Sequence, residues 1–344
     1  MKILFNTHNI AFQNPGGGEI QLLKTKEYLK KEGIQVKNFN KFEDKIKDYD
    51  ILHNFTILSD CYDTLKYAHQ NKILIALSTI WWPSTEYALN SDQSFKDKLK
   101  TLSYILINKH NLFNLSKVKE MMNIANLLLP NSRTEGEMIT KHFGINSNKI
   151  HPVPNGVDER FAKANPKLFQ EKYGIKDFVL YVGRIEPRKN VLSLIKAIKN
   201  KPLVIIGEAP DNQKNYEKLC KKEASKKVIF LGKLNHNDLL LESAYASCNT
   251  FVLPSWYETP GLVALEAGLA GAKIVITSRG ATKDYFNDYV EYIDPKNLKD
   301  IKEKVEKSLK KEKTSELKDY ILNNFLWKNV AVKTKEAYEK ILSS

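Results

Sequence analysis

The stretch FVLPSWYETPGLVALE, residues 251–266, decides the fold class of this chain. Its short apolar run Phe251–Leu253 is typical of a strand that is buried on both faces of a parallel sheet. Pro260 and Gly261 fit the first turn of a helix, which we predict over residues 260–270. Short apolar strands alternate with helical patterns along the rest of the chain, so the sequence predicts a doubly wound α/β fold.

Two carboxylates flank the start of that predicted helix, Glu258 in the loop and Glu266 inside the helix. In open parallel sheets, ligands bind outside the carboxyl ends of the strands, where this loop falls. The backbone N–H groups of Gly261 and Leu262 would form an anion site suited to a diphosphate. Carboxylate oxygens would accept hydrogen bonds from sugar or ribose hydroxyls. The alternative is that Glu258 complements the helix dipole and Glu266 is a solvated helix residue.

A second motif, VGRIEPRKN at residues 182–190, repeats this geometry with cations. It places Arg184 at the carboxyl end of a predicted strand and Lys189 just before the next helix. Both side chains are expected to reach one ligand position, where they would stabilise a departing nucleotide diphosphate without a metal ion. The alternative is a surface Arg and Lys that pair with Glu186.

The N-terminal loop contains PGGGE, in which Gly17 and Gly18 allow close approach of the backbone to a phosphate or a sugar. The spacing differs from the G-x-G-x-x-G of dinucleotide-binding folds, which counts against a NAD enzyme. The DYD sequence at residues 48–50 precedes its strand, at the end remote from ligands, and is interpreted as a turn rather than a metal motif.

Length and composition set further limits. A chain of 344 residues exceeds the size that one core usually serves, so two domains are expected. The net charge of +14 attracts polyanions, but the lysines are scattered and no nucleic-acid-binding motif is present. The three cysteines lack metal-ligand spacing, and no apolar run has the length of a membrane span. These features predict a cytoplasmic protein with neither nucleic acid nor metal as a partner.

Four motifs, in this order, resemble the GT4 family of retaining glycosyltransferases with the GT-B fold. They are PGGGE, LLLPNSRTEGEMITKHFGINSNKIHPVPNGVD, LYVGRIEPRKN and FVLPSWYETPGLVALEAGLAGAKIVIT. The resemblance implies two Rossmann-like doubly wound domains, residues 1–156 on the acceptor side and 157–327 on the nucleotide-sugar side, which face each other across a cleft. A C-terminal helix, about residues 328–344, would pack back on the first domain.

The resemblance also implies the activity. It predicts transfer of a hexose from a UDP or GDP sugar to a saccharide or lipid-linked acceptor in polysaccharide or glycolipid biosynthesis, with no cofactor or metal. Arg184 and Lys189 would hold the diphosphate, Glu258 the donor hexose and Glu266 the ribose hydroxyls. Further donor contacts would come from Gly261, Leu262, Gly17, Gly18, Gly232 and Leu234.

One departure from the family concerns the acceptor side. Where many members carry a His just after the strand that corresponds to residues 72–77, this chain has Ser78 and Thr79, followed by Trp81 and Trp82. Thr79 and His53 are acceptor-side candidates, and the two tryptophans offer aromatic faces for a sugar. The alternatives are a hydrogen-bonded structural role for His53 and packing under the loop for the tryptophans.

Two rival interpretations stay open at this point, a C2 epimerase of the same fold and a non-catalytic basic binding protein. Residues 94–119 combine lysines with apolar residues, so peripheral contact with the inner face of an anionic membrane is one expectation. An amphipathic helix that covers the core is the other.

Overall fold

The computed structural model describes residues 1–13, 16–82, 85–91, 98–99 and 112–343. These residues form two compact units. The N-terminal unit comprises the described residues of 1–83, 103–156 and 325–344, and the C-terminal unit those of 84–102 and 157–324. The predicted domain boundaries are at residues 156/157 and 327/328. The prediction places residues 84–102 in the first domain, whereas the structure assigns the described residues of this range to the C-terminal unit.

Strands and helices alternate along much of the described chain. The strands are β1 (Lys2–Asn6), β2 (Gln35–Asn38), β3 (Ile51–Phe55), β4 (Leu74–Ser78), β5 (Leu127–Leu128), β6 (Val179–Val182), β7 (Leu203–Ile206), β8 (Val228–Phe230), β9 (Thr250–Leu253), β10 (Lys273–Thr277) and β11 (Glu291–Ile293). The helices are α1 (Gly17–Lys31), α2 (Tyr62–Gln70), α3 (Thr85–Asn90), α4 (Leu112–Ile124), α5 (Arg133–Phe143), α6 (Lys167–Tyr173), α7 (Val191–Ala197), α8 (Lys214–Glu223), α9 (Leu239–Ser247), α10 (Leu262–Leu269), α11 (Thr282–Phe286), α12 (Leu298–Lys310), α13 (Glu316–Asn324) and α14 (Trp327–Leu342).

The N-terminal unit is built on a parallel sheet in the order β2-β1-β3-β4-β5. Neighbouring residues of β1 point to opposite faces of this sheet, because the side-chain period of a strand is two. Phe5 packs with Trp327 and Tyr338 of α14 in one buried cluster, and Leu4 packs with Met121 of α4 in another. The C-terminal helix is therefore part of the N-terminal unit's core.

The C-terminal unit has a parallel sheet in the order β11-β10-β9-β6-β7-β8. Its first strand, β6, lies between β9 and β7, so the chain reverses its direction of winding at this point. Such a switch point opens a crevice outside the carboxyl ends of the two central strands, where ligands of doubly wound sheets bind. Both motifs of the sequence analysis follow these strands, since residues 184–189 come after β6 and residues 254–261 after β9.

Helix α3 belongs to the C-terminal unit through ion pairs. The Glu86 carboxylate accepts a hydrogen bond from Arg279 Nε at 2.9 Å and lies 2.5 Å from Lys296 Nζ. The sequence gives no periodic signal for this short helix, and the predicted boundaries place it in the first domain.

No helix among the described residues has the length and apolar character needed to cross a membrane. Of the basic, partly apolar stretch 94–119, only residues 98–99 and 112–119 are described, so the predicted membrane contact lies mostly outside the described residues.

Candidate functional site

Lys189 and Glu258 form an ion pair at the switch point of the C-terminal unit. A 3₁₀ turn, Pro187–Lys189, directly follows the β6 end and carries Lys189, whereas Glu258 lies in the loop between β9 and α10. Lys189 Nζ lies 2.5 Å from Glu258 Oε1, and the two side chains are 14% and 6% exposed. The structure thus brings together two residues that were predicted to share a site.

A third charged residue, Arg188, also acts on Glu258. Arg188 lies with its guanidinium carbon 5.4 Å from the centre of the Tyr257 ring and its NH2 3.3 Å from Glu186 Oε1. Burial raises the pKa of the Glu258 carboxyl, but the Lys189 ammonium and the Arg188 guanidinium outweigh burial and hold the pKa below its ordinary value. Glu258 is therefore an anion at neutral pH. Arg188 was not singled out from the sequence, although it directly precedes Lys189.

The backbone of Glu258 is fixed by the loop that follows β10. Its N–H donates to Arg279 O at 3.2 Å, and its carbonyl accepts from Ala281 N at 2.8 Å. Gly280 lies between them at φ +96°, and a Cβ there would be 2.0 Å from Glu258 O. Only a glycine fits at this position, so the loop geometry that orients Glu258 depends on Gly280.

Helix α10 begins beside Glu258. Gly261 is its N-cap at φ +88°, and Gly261 O accepts the first helical hydrogen bond, from Ala264 N at 2.8 Å. The N–H groups of Leu262 and the residue after it have no intrahelical acceptor, because they belong to the first turn. The helix start is therefore an electropositive position next to the Lys189–Glu258 pair.

Glu266, one residue beyond the middle of α10, is 6% exposed, so the alternative of a solvated helix residue is wrong. Its two oxygens accept from His236 Nε2 and Tyr245 Oη, each at 2.8 Å. The hydrogen bond to Glu266 raises the pKa of His236 above its ordinary value, and burial opposes this shift. The sequence analysis did not predict either partner of Glu266 as a site residue. His236 lies two residues after Leu234, and Tyr245 lies in an apolar helix pattern.

The remaining donor-side candidates of the C-terminal unit, Arg184, Gly232 and Leu234, lie at the same edge of its sheet. Arg184 is exposed, and its carbonyl accepts from Tyr181 Oη at 2.7 Å. The loop after β8 carries the exposed Gly232 and the half-buried Leu234. Gly232 O accepts from Gly207 N at 2.8 Å, which ties this loop to the β7 end.

In the N-terminal unit, Gly17 and Gly18 form the first turn of α1, whereas the sequence pattern suggested a loop that lasts until residue 20. Glu19 stabilises the earlier start, because its Oε2 accepts from Gly16 N at 2.8 Å and its Oε1 lies 3.2 Å from His8 Nε2. Burial raises the pKa of Glu19, and the backbone N–H groups and His8 lower it below its ordinary value. Gly17 and Gly18 thus present first-turn N–H groups.

His53 has the structural role that was its alternative. It is 1% exposed, with Nδ1 2.5 Å from Tyr338 Oη and Nε2 2.9 Å from Ser78 Oγ. Its ring stacks on Phe55 with 4.0 Å between centres. Burial lowers its pKa to about 3. A neutral, fully hydrogen-bonded core imidazole does not present a free nitrogen to an acceptor.

Thr79 is also buried, and its Oγ1 donates to Glu135 Oε1 at 2.5 Å. Glu135, at the start of α5, accepts as well from the N–H groups of Trp81 at 2.7 Å and Asn131 at 2.9 Å. This carboxylate, which was not predicted, fixes the loop after β4. Burial raises the pKa of Glu135, although the three hydrogen bonds oppose the shift.

The two tryptophans of that loop differ. The Trp81 ring packs against Phe143 and His142 of α5, with 4.9 and 5.0 Å between ring centres, so its packing alternative holds. Trp82 is half-buried. For Trp82, the contact with an acceptor sugar stays a prediction.

Both units have the parallel, doubly wound architecture of the GT-B glycosyltransferases. The Anabaena protein HepE, solved in complex with UDP and glucose, has a TM-score of 0.72 at 18% identity, over 100% of both chains. Residues 166–324 match the family model described as glycosyl transferases group 1. This match lies within the C-terminal unit, and together with the GT-B neighbours it confirms the predicted fold class and the predicted resemblance to group 1 glycosyltransferases.

Two curated relatives show the extent of the similarity. An uncharacterized glycosyltransferase of Methanocaldococcus jannaschii is 29% identical over 233 residues, 60% of this chain and 58% of the relative. The serotype-specific mannosyltransferase WbdA of Escherichia coli is 27% identical over 255 residues, 67% of this chain and 31% of the relative. The chain thus spans less than two thirds of the length of these relatives.

Proposed function

We propose that this protein is a retaining hexosyltransferase that uses a UDP or GDP sugar as donor. The observation that carries the proposal is the ion pair between the partly buried Lys189 and the buried Glu258, beside the start of α10 at the switch point of a parallel sheet. This place combines a cation and helix N–H groups for a diphosphate with carboxylates for hydroxyl groups.

In the proposed reaction, the principal electrostatic demand is the negative charge that develops on the departing nucleotide diphosphate. Lys189, Arg184 and the first turn of α10 stabilise this charge, and Glu258 contacts the hexose. These protein cations make a metal ion unnecessary, so we expect transfer to continue in the presence of EDTA. In a front-face route the departing phosphate oxygen takes the acceptor's proton, and Glu258 need not form a covalent bond.

The relatives support the substrate class. HepE binds UDP and glucose, and WbdA is a mannosyltransferase. A hexose donor and a saccharide or lipid-linked acceptor in polysaccharide or glycolipid assembly are the corresponding proposal for this chain, which we expect to act in the cytoplasm.

The test is incubation of the protein with UDP and GDP hexoses and a panel of saccharide and lipid-linked acceptors, followed by NMR of the product. We expect a new glycosidic bond with the anomeric configuration of the donor, and loss of product with Glu258→Gln. Inversion at the anomeric carbon would contradict the retaining mechanism. Donor epimerised at C2 without any acceptor would identify an epimerase. Salt-sensitive binding of polyanions with no turnover would identify a non-catalytic basic protein.

A further inference from the structure

Glu266 is held from two sides by side chains of different character. Tyr245 Oη reaches one carboxylate oxygen from α9 and is fully buried. His236 Nε2 reaches the other oxygen from the loop after β8, and its side chain is 34% exposed. Each carboxylate oxygen accepts up to two hydrogen bonds, so each keeps a further acceptor position. The directions of these positions are set by the two existing bonds.

His236 is itself held in one orientation. Arg160 NH2 donates to His236 O at 2.5 Å and lies 3.3 Å from His236 Nδ1. On its other side, Arg160 NH1 donates to Glu242 Oε1 at 2.5 Å, and Asp158 Oδ2 lies 4.0 Å from Arg160 Nε. Because Nδ1 faces the guanidinium donor, Nε2 carries the proton of the neutral ring. Protonation of the ring leaves that Nε2–H in place, so His236 donates to Glu266 in both states.

Apolar packing confines this chain of polar groups. The Phe161 ring meets His236 edge-on at 5.9 Å and Tyr245 at 5.8 Å between ring centres, and Phe161 is fully buried. The Arg160 guanidinium carbon lies 4.5 Å above the same ring. The His236 imidazole therefore contacts the Phe161 ring, the Arg160 guanidinium and, through Nε2, the Glu266 carboxylate. These contacts fix the orientation of the imidazole, and the imidazole in turn fixes the direction of the Glu266 carboxylate.

We propose that His236 is a positioning residue for ribose recognition, which aims the free acceptor positions of Glu266 at the ribose hydroxyls of the donor nucleotide. This inference rests on the proposed function, because it assumes that the Glu266 carboxylate binds the ribose of a donor nucleotide. It extends the site to the chain Glu242–Arg160–His236–Glu266, three members of which lie outside the motifs that identify the family resemblance.

The test separates the ribose from the diphosphate. Isothermal titration measures the dissociation constants of UDP or GDP, whichever the wild type binds, of its 2′,3′-dideoxy analogue and of inorganic pyrophosphate. The proteins are the wild type, His236→Ala, His236→Gln and Lys233→Ala. Gln carries an amide N–H where the imidazole has Nε2–H, and Lys233 is an exposed residue of the same loop, with a side chain 66% exposed.

We expect the wild type to bind the ribonucleotide at least about tenfold more tightly than the dideoxy analogue, because a carboxylate built to accept from hydroxyls loses its partners in the analogue. His236→Ala should reduce this ratio to within about threefold with pyrophosphate affinity unchanged, and His236→Gln should restore most of it. Lys233→Ala should keep the wild-type ratio.

Two results would overturn the inference alone. One is a wild-type ratio that persists in His236→Ala, and the other is an equal loss of affinity for all three ligands, which would mean a purely structural role. A wild type that binds no nucleoside diphosphate would overturn the proposed function together with this inference.

Discussion

Lys189 Nζ lies 2.5 Å from Glu258 Oε1, although the two residues are 69 positions apart in the chain. They meet because β6 and β9 are parallel neighbours whose carboxyl ends share one edge of the sheet. A buried ion pair by itself gives little net stability, since desolvation offsets its Coulomb energy. This pair lies at the edge where doubly wound sheets generally bind their ligands, which points to a functional reason for keeping both charges.

The first prediction concerns Lys189→Ala. This change removes the cation that lies beside Glu258 and the start of α10 in the proposed diphosphate site. Affinity for UDP or GDP should therefore fall about 10- to 100-fold, and transfer should slow. Titration calorimetry measures the affinity. Lys196→Ala, an exposed lysine of α7, is the matched control and should bind normally. Wild-type nucleotide affinity in Lys189→Ala would exclude this lysine from the site.

The second prediction concerns Glu258→Gln. The amide keeps the shape of the side chain and removes its charge, so transfer should slow by about 10² while affinity for the free nucleotide changes little. Steady-state kinetics and nucleotide titration separate the two effects. Glu303→Gln, on the exposed face of α12, should behave as wild type. Normal turnover in Glu258→Gln would contradict the proposed role of this carboxylate in contacting the donor hexose during transfer.

The third prediction uses two glycines of the C-terminal unit with similar φ angles. Gly280 has φ +96° and Gly271 φ +88°, but a Cβ at Gly280 would be 2.0 Å from Glu258 O, whereas one at Gly271 meets nothing within 4 Å. Gly271→Ala should cost about 1–2 kcal/mol of unfolding free energy from left-handed strain alone. Gly280→Ala should cost about 1–3 kcal/mol more and should also slow transfer. Denaturant unfolding and the transfer assay measure both, and equal losses would contradict the claim that Gly280 holds Glu258.

The strand–loop–helix units could be predicted well from the sequence, because buried parallel strands are short apolar runs between turn signals. A strand was predicted over Lys2–Asn6, which are the observed bounds of β1, and the strand predicted over residues 250–254 contains β9 (Thr250–Leu253). β2 and β11 were missed. β2 is a strand of only four residues with one buried position, so its apolar pattern is too weak to distinguish it from a loop.

The site was only partly predictable, for a different reason. Glu258 and Lys189 stand in motifs next to recognisable strand ends, so topology alone brings them together. Other site residues are identified only by their long-range contacts, as is the case for His236, Arg160 and Glu135. Arg160, for example, pairs with Glu242, which is 82 residues away in the chain. Such pairings depend on how elements that are distant in sequence pack together, and one sequence without relatives carries no local signal for them.

The fourth prediction concerns acid stability. Burial lowers the pKa of His53 to about 3 from an ordinary 6.5, so between these values the unfolded chain binds a proton that the folded protein does not. The His53 contribution to stability is therefore intact above pH 6.5 and falls as the pH drops toward 3. The wild type should lose up to about 1.4 kcal/mol per pH unit more than His53→Gln. Denaturant titrations from pH 7 to 4 measure this difference, and parallel pH profiles would contradict it.

The central claim is that the C-terminal unit holds a nucleotide sugar at the edge where Lys189, Glu258 and Glu266 lie. The most direct measurement is the thermal stability of the wild type in the presence of UDP, GDP, ADP and their hexose conjugates. One base family should raise the melting temperature, because a ligand at 100 times its dissociation constant adds about 2.7 kcal/mol of stability. No shift with any of these nucleotides or nucleotide sugars would contradict the claim.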